Sequence, residues 1–121
     1  MLPYIRFETS LRDSACPRPL GVFRAVGKLR DAQAFDDWSI QCVDEVCVWF
    51  NQHLTVPRLP SHLYRAVFWF RAEQQSLVSH LWELVHVLRE HEVLVALLCS
   101  PRPGRICYQD DYQVAAMPDR R

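Results

Sequence analysis

The hydrophobic pattern breaks the chain into alternating segments. Ile5, Phe7, Thr9 and Leu11 alternate with Arg6, Glu8, Ser10 and Arg12. A period of two predicts a strand buried on one face. Two prolines and small polar residues make 13–19 a loop. Within 21–30, Phe23, Val26 and Leu29 fall at helical spacing and predict a short helix. A stronger helix is predicted over 36–53. There Trp38, Cys42, Val43, Val46, Trp49 and Phe50 form a wide apolar face. Asp36 and Asp37 sit in its first turn, where the helix dipole favours negative charge. Pro57 and Pro60 mark a connector over 55–61.

The second half reads more sharply. Residues 65–71 predict a strand with Val67 and Trp69 on one face and Ala66, Phe68 and Phe70 on the other. Residues 73–91 predict a helix: Leu77, Leu81, Leu84, Val85 and Leu88 share one face, and Glu83 and Glu90 lie opposite. Val93 to Cys99 is an unbroken apolar strand, followed by the turn Ser100-Pro101-Arg102-Pro103-Gly104. Ile106 to Tyr108 and Tyr112 to Met117 predict two more strands joined near Gln109-Asp110-Asp111, or one long strand bulged there. Pro118 to Arg121 is a short tail.

This order predicts a single α/β or α+β domain. A mixed sheet of four or five strands would carry two or three helices. Strand–helix–strand units favour parallel pairing, and the C-terminal strands would add as antiparallel hairpins. Strands apolar on both faces are normally covered on both. If the helices all pack on one face, the other is expected to meet a second subunit or a partner.

A length of 121 residues fits one domain, and half the residues are hydrophobic, which excludes a disordered chain. The formal net charge is zero. That disfavours a nucleic-acid binder, which normally carries excess positive charge. No apolar run is long enough to cross a membrane, and residues 1–6 lack the basic and apolar pattern of a leader, so no secretory signal is expected. The five cysteines have no framework spacing, so reduced thiols in a cytoplasmic protein are expected.

Candidate chemistry is sparse. The stretch from Gly21 to Lys28 has five residues between its glycines and Leu29 after the lysine, which departs from a phosphate-binding loop. His80, Glu83 and His86 diverge around a helix and read as a polar flank. His53 reads as a packed or capping histidine. Cys99 and Cys107 flank the proline-rich turn and would face each other if it closed a hairpin. Cys16 is the thiol expected to be exposed. Asp110 and Asp111 form a possible carboxylate site, although adjacent aspartates also build ordinary turns. Phe68-Trp69-Phe70 between Arg65 and Arg71 could stack bases, but core packing is the simpler reading. No metal site, cofactor or catalytic set is expected.

Several segments resemble a group of small uncharacterised bacterial proteins. They are Ile5-Arg6-Phe7-Glu8, Gly21-Val22-Phe23, Ala66 to Phe70, Trp82 to Val85 with Leu88 to His91, and Arg102-Pro103-Gly104 with Tyr108, Asp110, Tyr112-Gln113-Val114 and Pro118. The resemblance implies a bacterial, cytoplasmic, single-domain protein and no particular activity. Members of the group tend to carry glycine after the helix, where this chain has Glu92. That departure implies strain or a different exit turn.

The leading expectation is a non-enzymatic interaction module, as a homodimer or an accessory subunit bound to another protein. Trp69, Arg71, Arg102, Arg105 and Gln113 are the candidate contact residues, because interfaces favour aromatics and arginine. A basic patch from Arg102, Arg105, Arg120 and Arg121 keeps a nucleic-acid-binding accessory as the alternative. A small enzyme built on Asp110 and Asp111 with a histidine or Cys16 is the third.

Overall fold

A computed structural model describes residues 3–14 and 18–118. Cys16, Arg120 and Arg121 therefore lie outside the described residues. The elements follow the predicted order: β1 (Tyr4–Thr9), α1 (Val22–Asp31), α2 (Asp37–His53), β2 (Val67–Arg71), α3 (Gln75–Glu90), β3 (Val95–Ser100), β4 (Arg105–Gln109) and β5 (Gln113–Met117). One 3₁₀ turn, Ser61–Leu63, lies in the connector before β2. The five strands make one sheet in the order β3-β1-β2-β5-β4. No helix among the described residues is long and apolar enough to cross a membrane.

Every pairing is antiparallel, which corrects the parallel pairing expected of the strand–helix–strand units. The physical reason is β1. Two helices separate β1 from β2, so the chain reverses three times, an odd number, and returns antiparallel. Crossing α3 does keep β3 in the same direction as β2, as a single crossover must. However, β1 lies between them and pairs with both.

The register divides the faces. Ile5, Phe7 and Phe70 point to the helices and join the core with Val43, Val46, Phe50, Leu77, Leu81, Leu84 and Leu88. The predicted apolar face of α3 is therefore the buried one. Phe7 meets Trp82 edge-on at 5.0 Å, and Phe23 meets Phe50 at 4.8 Å. Asp36 caps α2 by accepting from the Ser39 amide at 2.7 Å. That hydrogen bond holds its carboxyl below the usual aspartate value. Trp38, expected on the apolar face of α2, is 69% exposed, because Ser39 beside it takes the core-facing position with Val43, Val46 and Phe50, and Trp38 lies about 100° round the helix from it.

β1 pairs with β2 only through Tyr4↔Arg71 and Ile5↔Phe70. Beyond Ile5, the same edge of β1 is taken by the segment entering α1. The Thr9 amide donates to Leu20 O at 2.9 Å, and Glu8 bridges to Gly21. The sheet therefore forks, with Arg6 at the fork. Its guanidinium donates to Phe68 O at 3.3 Å and lies 3.5 Å from the Glu8 carboxylate. Gly21 belongs to this bridge and helix entry, which settles the Gly21–Lys28 stretch as an ordinary helix start.

β3 and β4 lie on opposite edges of the sheet, so the turn between them closes no hairpin. Cys99 and Cys107 are both free thiols that do not face each other. In a flat sheet the end of β3 and the start of β4 would be roughly 25 Å apart, from strand spacings of ~4.8 Å and rises of ~3.4 Å. The five steps from Ser100 to Arg105 reach at most about 18 Å. The sheet must therefore coil, as twisted sheets do. Val67, Val114 and Ala116 on the face away from the helices are buried. The helices do cluster on one side, but part of the second face is closed within the chain. Gly104 leads into β4 at φ +127°, and a Cβ there would run into the Met117 carbonyl, so this position requires glycine.

The chain leaves α3 through Glu92, two residues past its last turn, with φ 65°. Its amide donates to Arg89 O at 3.1 Å, and the Val93 amide donates to Leu88 O at 3.1 Å. This is the left-handed exit that glycine provides at little cost, taken here by glutamate. Replacing Glu92 with glycine is expected to stabilise the fold by about 1 kcal/mol. A denaturant midpoint that rises at unchanged slope would confirm it, and an unchanged or lower midpoint would refute it.

Candidate functional site

The predicted carboxylate pair sits in the β4–β5 hairpin. Asp110 faces inward and Asp111 is exposed. One Asp110 oxygen, Oδ1, accepts from the Tyr112 amide at 2.9 Å and the Gln113 amide at 3.0 Å. The other, Oδ2, accepts from the Tyr108 hydroxyl at 2.7 Å and Gln113 Nε2 at 3.3 Å. Burial opposes the charged form, but these four hydrogen bonds together outweigh it and hold the carboxyl below the usual aspartate value. The same contact raises the Tyr108 phenol, which would lose its acceptor on ionising. Asp110 thus has the geometry of a turn hub, one of the readings open from sequence. No group of three metal-ligating side chains occurs among the described residues.

Gln113, a candidate contact residue, is buried. Its Nε2 donates to Thr55 O at 2.6 Å, tying the connector after α2 to the sheet. Arg71 is also engaged: Nε donates to Asp110 O at 2.9 Å, Nη2 to Gln109 Oε1 at 3.3 Å, and the guanidinium lies 5.9 Å from the Tyr4 ring centroid. Gln74 Nε2 donates to Asp111 O at 2.8 Å, joining the start of α3 to the same hairpin. Trp69 is half-buried on the face away from the helices, opposite Val114. Arg102 and Arg105 are exposed and line a shallow groove with Tyr4 and Ile106. The structure thus gathers Arg71, Arg102 and Arg105 around Tyr4. Gln113 and Asp110 are spent in the hairpin behind them.

The histidines are organised by an aromatic stack that the sequence pattern did not reveal. The Trp49 indole lies between the imidazoles of His53 and His80, each 4.2 Å away and 12° from parallel. His53 Nδ1 is 2.8 Å from Trp49 O, and His80 Nδ1 is 2.6 Å from Ser76 O. His80 therefore packs α3 against α2, where the sequence pointed to a polar flank. His53 stays exposed at the end of α2, stacked on Trp49 with Nδ1 at a carbonyl of its own helix, within the packed or capping reading.

The most open chemistry lies on the backbone of β3. It pairs regularly with β1 over all six of its residues, from Tyr4↔Ser100 to Thr9↔Val95. Its other side is an edge of the sheet. Leu94 is 76% and Leu97 43% exposed, and Ala96 and Cys99 are exposed. A strand apolar on both faces was expected to be covered on both, and within the chain β3 is not. The opposite edge, β4, differs: it begins with exposed Arg105 and carries a bulge between Ile106 and Tyr108. Charges and bulges are the usual protection of a sheet edge, and β3 has neither. The absence of charge in Val95–Ser100 was visible in the sequence. Its position at an edge depends on long-range pairing and was not.

Comparisons with known protein families, with curated proteins and with solved structures find no match.

Replacing Asp110 with alanine removes four hydrogen bonds and is expected to cost about 1–3 kcal/mol. Asparagine, which keeps one acceptor oxygen, should cost less. Because the carboxyl is lowered in the fold, its stabilisation is complete above the ordinary value of 3.8 and is lost as the pH falls through the lower folded value. Stability of both variants should therefore fall less steeply than the parent's as the pH drops from 3.8 through that lower value. Equal acid sensitivity in the parent and the alanine variant would refute the role given to this carboxylate.

Proposed function

We propose that this chain is a protein-interaction module that works by strand addition at the open edge of β3. One observation carries the reading: β3 is a regular six-residue edge strand without charge, proline or bulge, whereas the other edge of the same sheet has charge and a bulge. Such an edge offers a row of amides and carbonyls to another strand, and its side chains select the partner. Exposed Leu94 and Leu97 would supply apolar contact beside that backbone. The occupied oxygens of Asp110 and the backbone-bound imidazoles of His53 and His80 fit a protein whose polar groups serve its architecture.

The test is a photo-crosslinking side chain installed in cells at Leu97, with the same side chain at exposed Gln52 in α2 as the control. The reading predicts a discrete protein adduct, to itself or to another protein, at position 97 and none at position 52. Equal or absent adducts at both positions would refute it.

A further inference from the structure

Alternation along β1 sets Tyr4 opposite to Ile5 and Phe7, on the sheet face away from the helices. There its half-buried ring lines a groove of about 360 Å³ with Pro101, Arg102, Pro103, Arg105 and Ile106. Both walls are held. Tyr4 pairs with Arg71 on one side and Ser100 on the other, which fixes the backbone beneath the ring. The link that carries the arginines is stiff. Its two prolines set their own φ, the Arg102 amide donates to Ser100 Oγ at 3.1 Å, and Gly104 sits against the Met117 carbonyl. Arg105 then pairs with Met117.

The positive charge at this groove is uncompensated. Elsewhere, Arg6, Arg24 and Arg30 stand beside Glu8, Asp13 and Asp44. Among the described residues, the guanidinium groups of Arg102 and Arg105 have no ion pair and no hydrogen bond. Arg71, beside the Tyr4 ring, donates only to a backbone carbonyl and a neutral amide. The Asp110 carboxylate in the same hairpin faces the donors of its own turn. Three arginines without an ion pair therefore gather around one aromatic ring, in a chain whose formal net charge is zero. Salt limits the reach of a charge to about 10 Å at 0.1 M, so a ligand at the groove meets this local charge and not the net one.

We propose that the groove is a binding site for single-stranded nucleic acid, with Arg102 and Arg105 on phosphates and the Tyr4 ring under a base. This inference stands apart from the edge reading of β3. Guanidinium groups match a phosphate with two parallel donors. An aromatic side chain on a sheet stacks an unpaired base, and every base has a face to offer. The shape of the groove narrows the choice. Small molecules are held where most of their surface is covered, and this groove is shallow. An extended strand needs only a charged track with a stacking platform. A duplex keeps its bases stacked, so it gives the arginines phosphates and the ring nothing. An acidic peptide uses the charge alone.

The experiment is fluorescence anisotropy of a labelled oligothymidylate of about a dozen nucleotides, titrated with the full chain between about 50 and 200 mM salt. Saturable binding is expected. Its log affinity should fall against log salt with a slope of about −1.4, for two phosphates at ~0.7 each. Arg102→Gln with Arg105→Gln is expected to flatten that slope. Arg30→Gln in α1, on the helix side, is expected to leave it unchanged. Tyr4→Leu keeps the apolar bulk and should weaken binding about fivefold or more at an unchanged slope. A duplex of the same length is expected to bind more weakly, and a polyglutamate peptide at matched charge is expected not to displace the strand. No saturable binding at about 50 mM salt would overturn the proposal. So would a slope kept in the double variant, an affinity kept in Tyr4→Leu, or equal binding of the duplex. Displacement by polyglutamate would assign the groove to acidic protein segments and overturn it as well. None of these outcomes bears on the adduct expected at position 97.

Discussion

A strand has two edges, and the way β1 divides its own governs this molecule. One edge goes entirely to β3. The other is shared: β2 takes the end near Tyr4 and Ile5, and Leu20 and Gly21 take the rest. Two segments cannot hold one edge without diverging, so β2, β5 and β4 splay away from β1 below the fork. Arg6 suits that position because its planar head can donate to the Phe68 carbonyl while facing the Glu8 carboxylate. The divergence fits the coiling that lets a short link carry the chain from one outer strand to the other. It also leaves β3 on the regular side of the fork, paired with β1 along its whole length.

The two outer strands then meet different physical conditions. β4 is bulged, starts with an arginine and is tied into a hairpin by Asp110 and Arg71. An edge shaped in this way resists another strand. β3 keeps its outward amides and carbonyls in line and sets apolar side chains beside them. A folded protein that leaves such an edge unprotected risks aggregation unless something occupies it, and this contrast is the physical basis for assigning an interaction role.

Much of the architecture was legible because local periodicity reports burial. α3 declares its core face through Leu77, Leu81, Leu84, Val85 and Leu88, and all of these are buried. The departure at Glu92 was legible too, as a left-handed residue without glycine. Strand partners were not legible. Nothing local in Val95–Ser100 tells whether the strand lies at the centre or the rim, and nothing in Ile5–Thr9 tells that it will come between β2 and β3. The candidate residues divide for the same reason. Arg102 and Arg105 are exposed, as surface arginines in a turn should be. Gln113 looked like a polar group available to a partner, yet its amide is consumed by Thr55, a residue 58 positions away in the chain. The stack of Trp49 between His53 and His80 likewise joins two helices whose packing no single-helix pattern encodes.

The central claim is that the outward side of β3 is occupied in the working protein, and backbone hydrogen exchange reads that side directly. In the assembled protein, the Leu97 and Cys99 amides should be protected to a degree comparable with those of Ala96 and Leu98, which bond to β1 in the register set by the Ser10 amide on Leu94 O. Dilution to the free chain should release the first pair and leave the second protected. If Leu97 and Cys99 exchange as freely as the amides of the 101–104 turn at every concentration and with every partner, while Ala96 and Leu98 stay protected, the edge is bare and the account is contradicted.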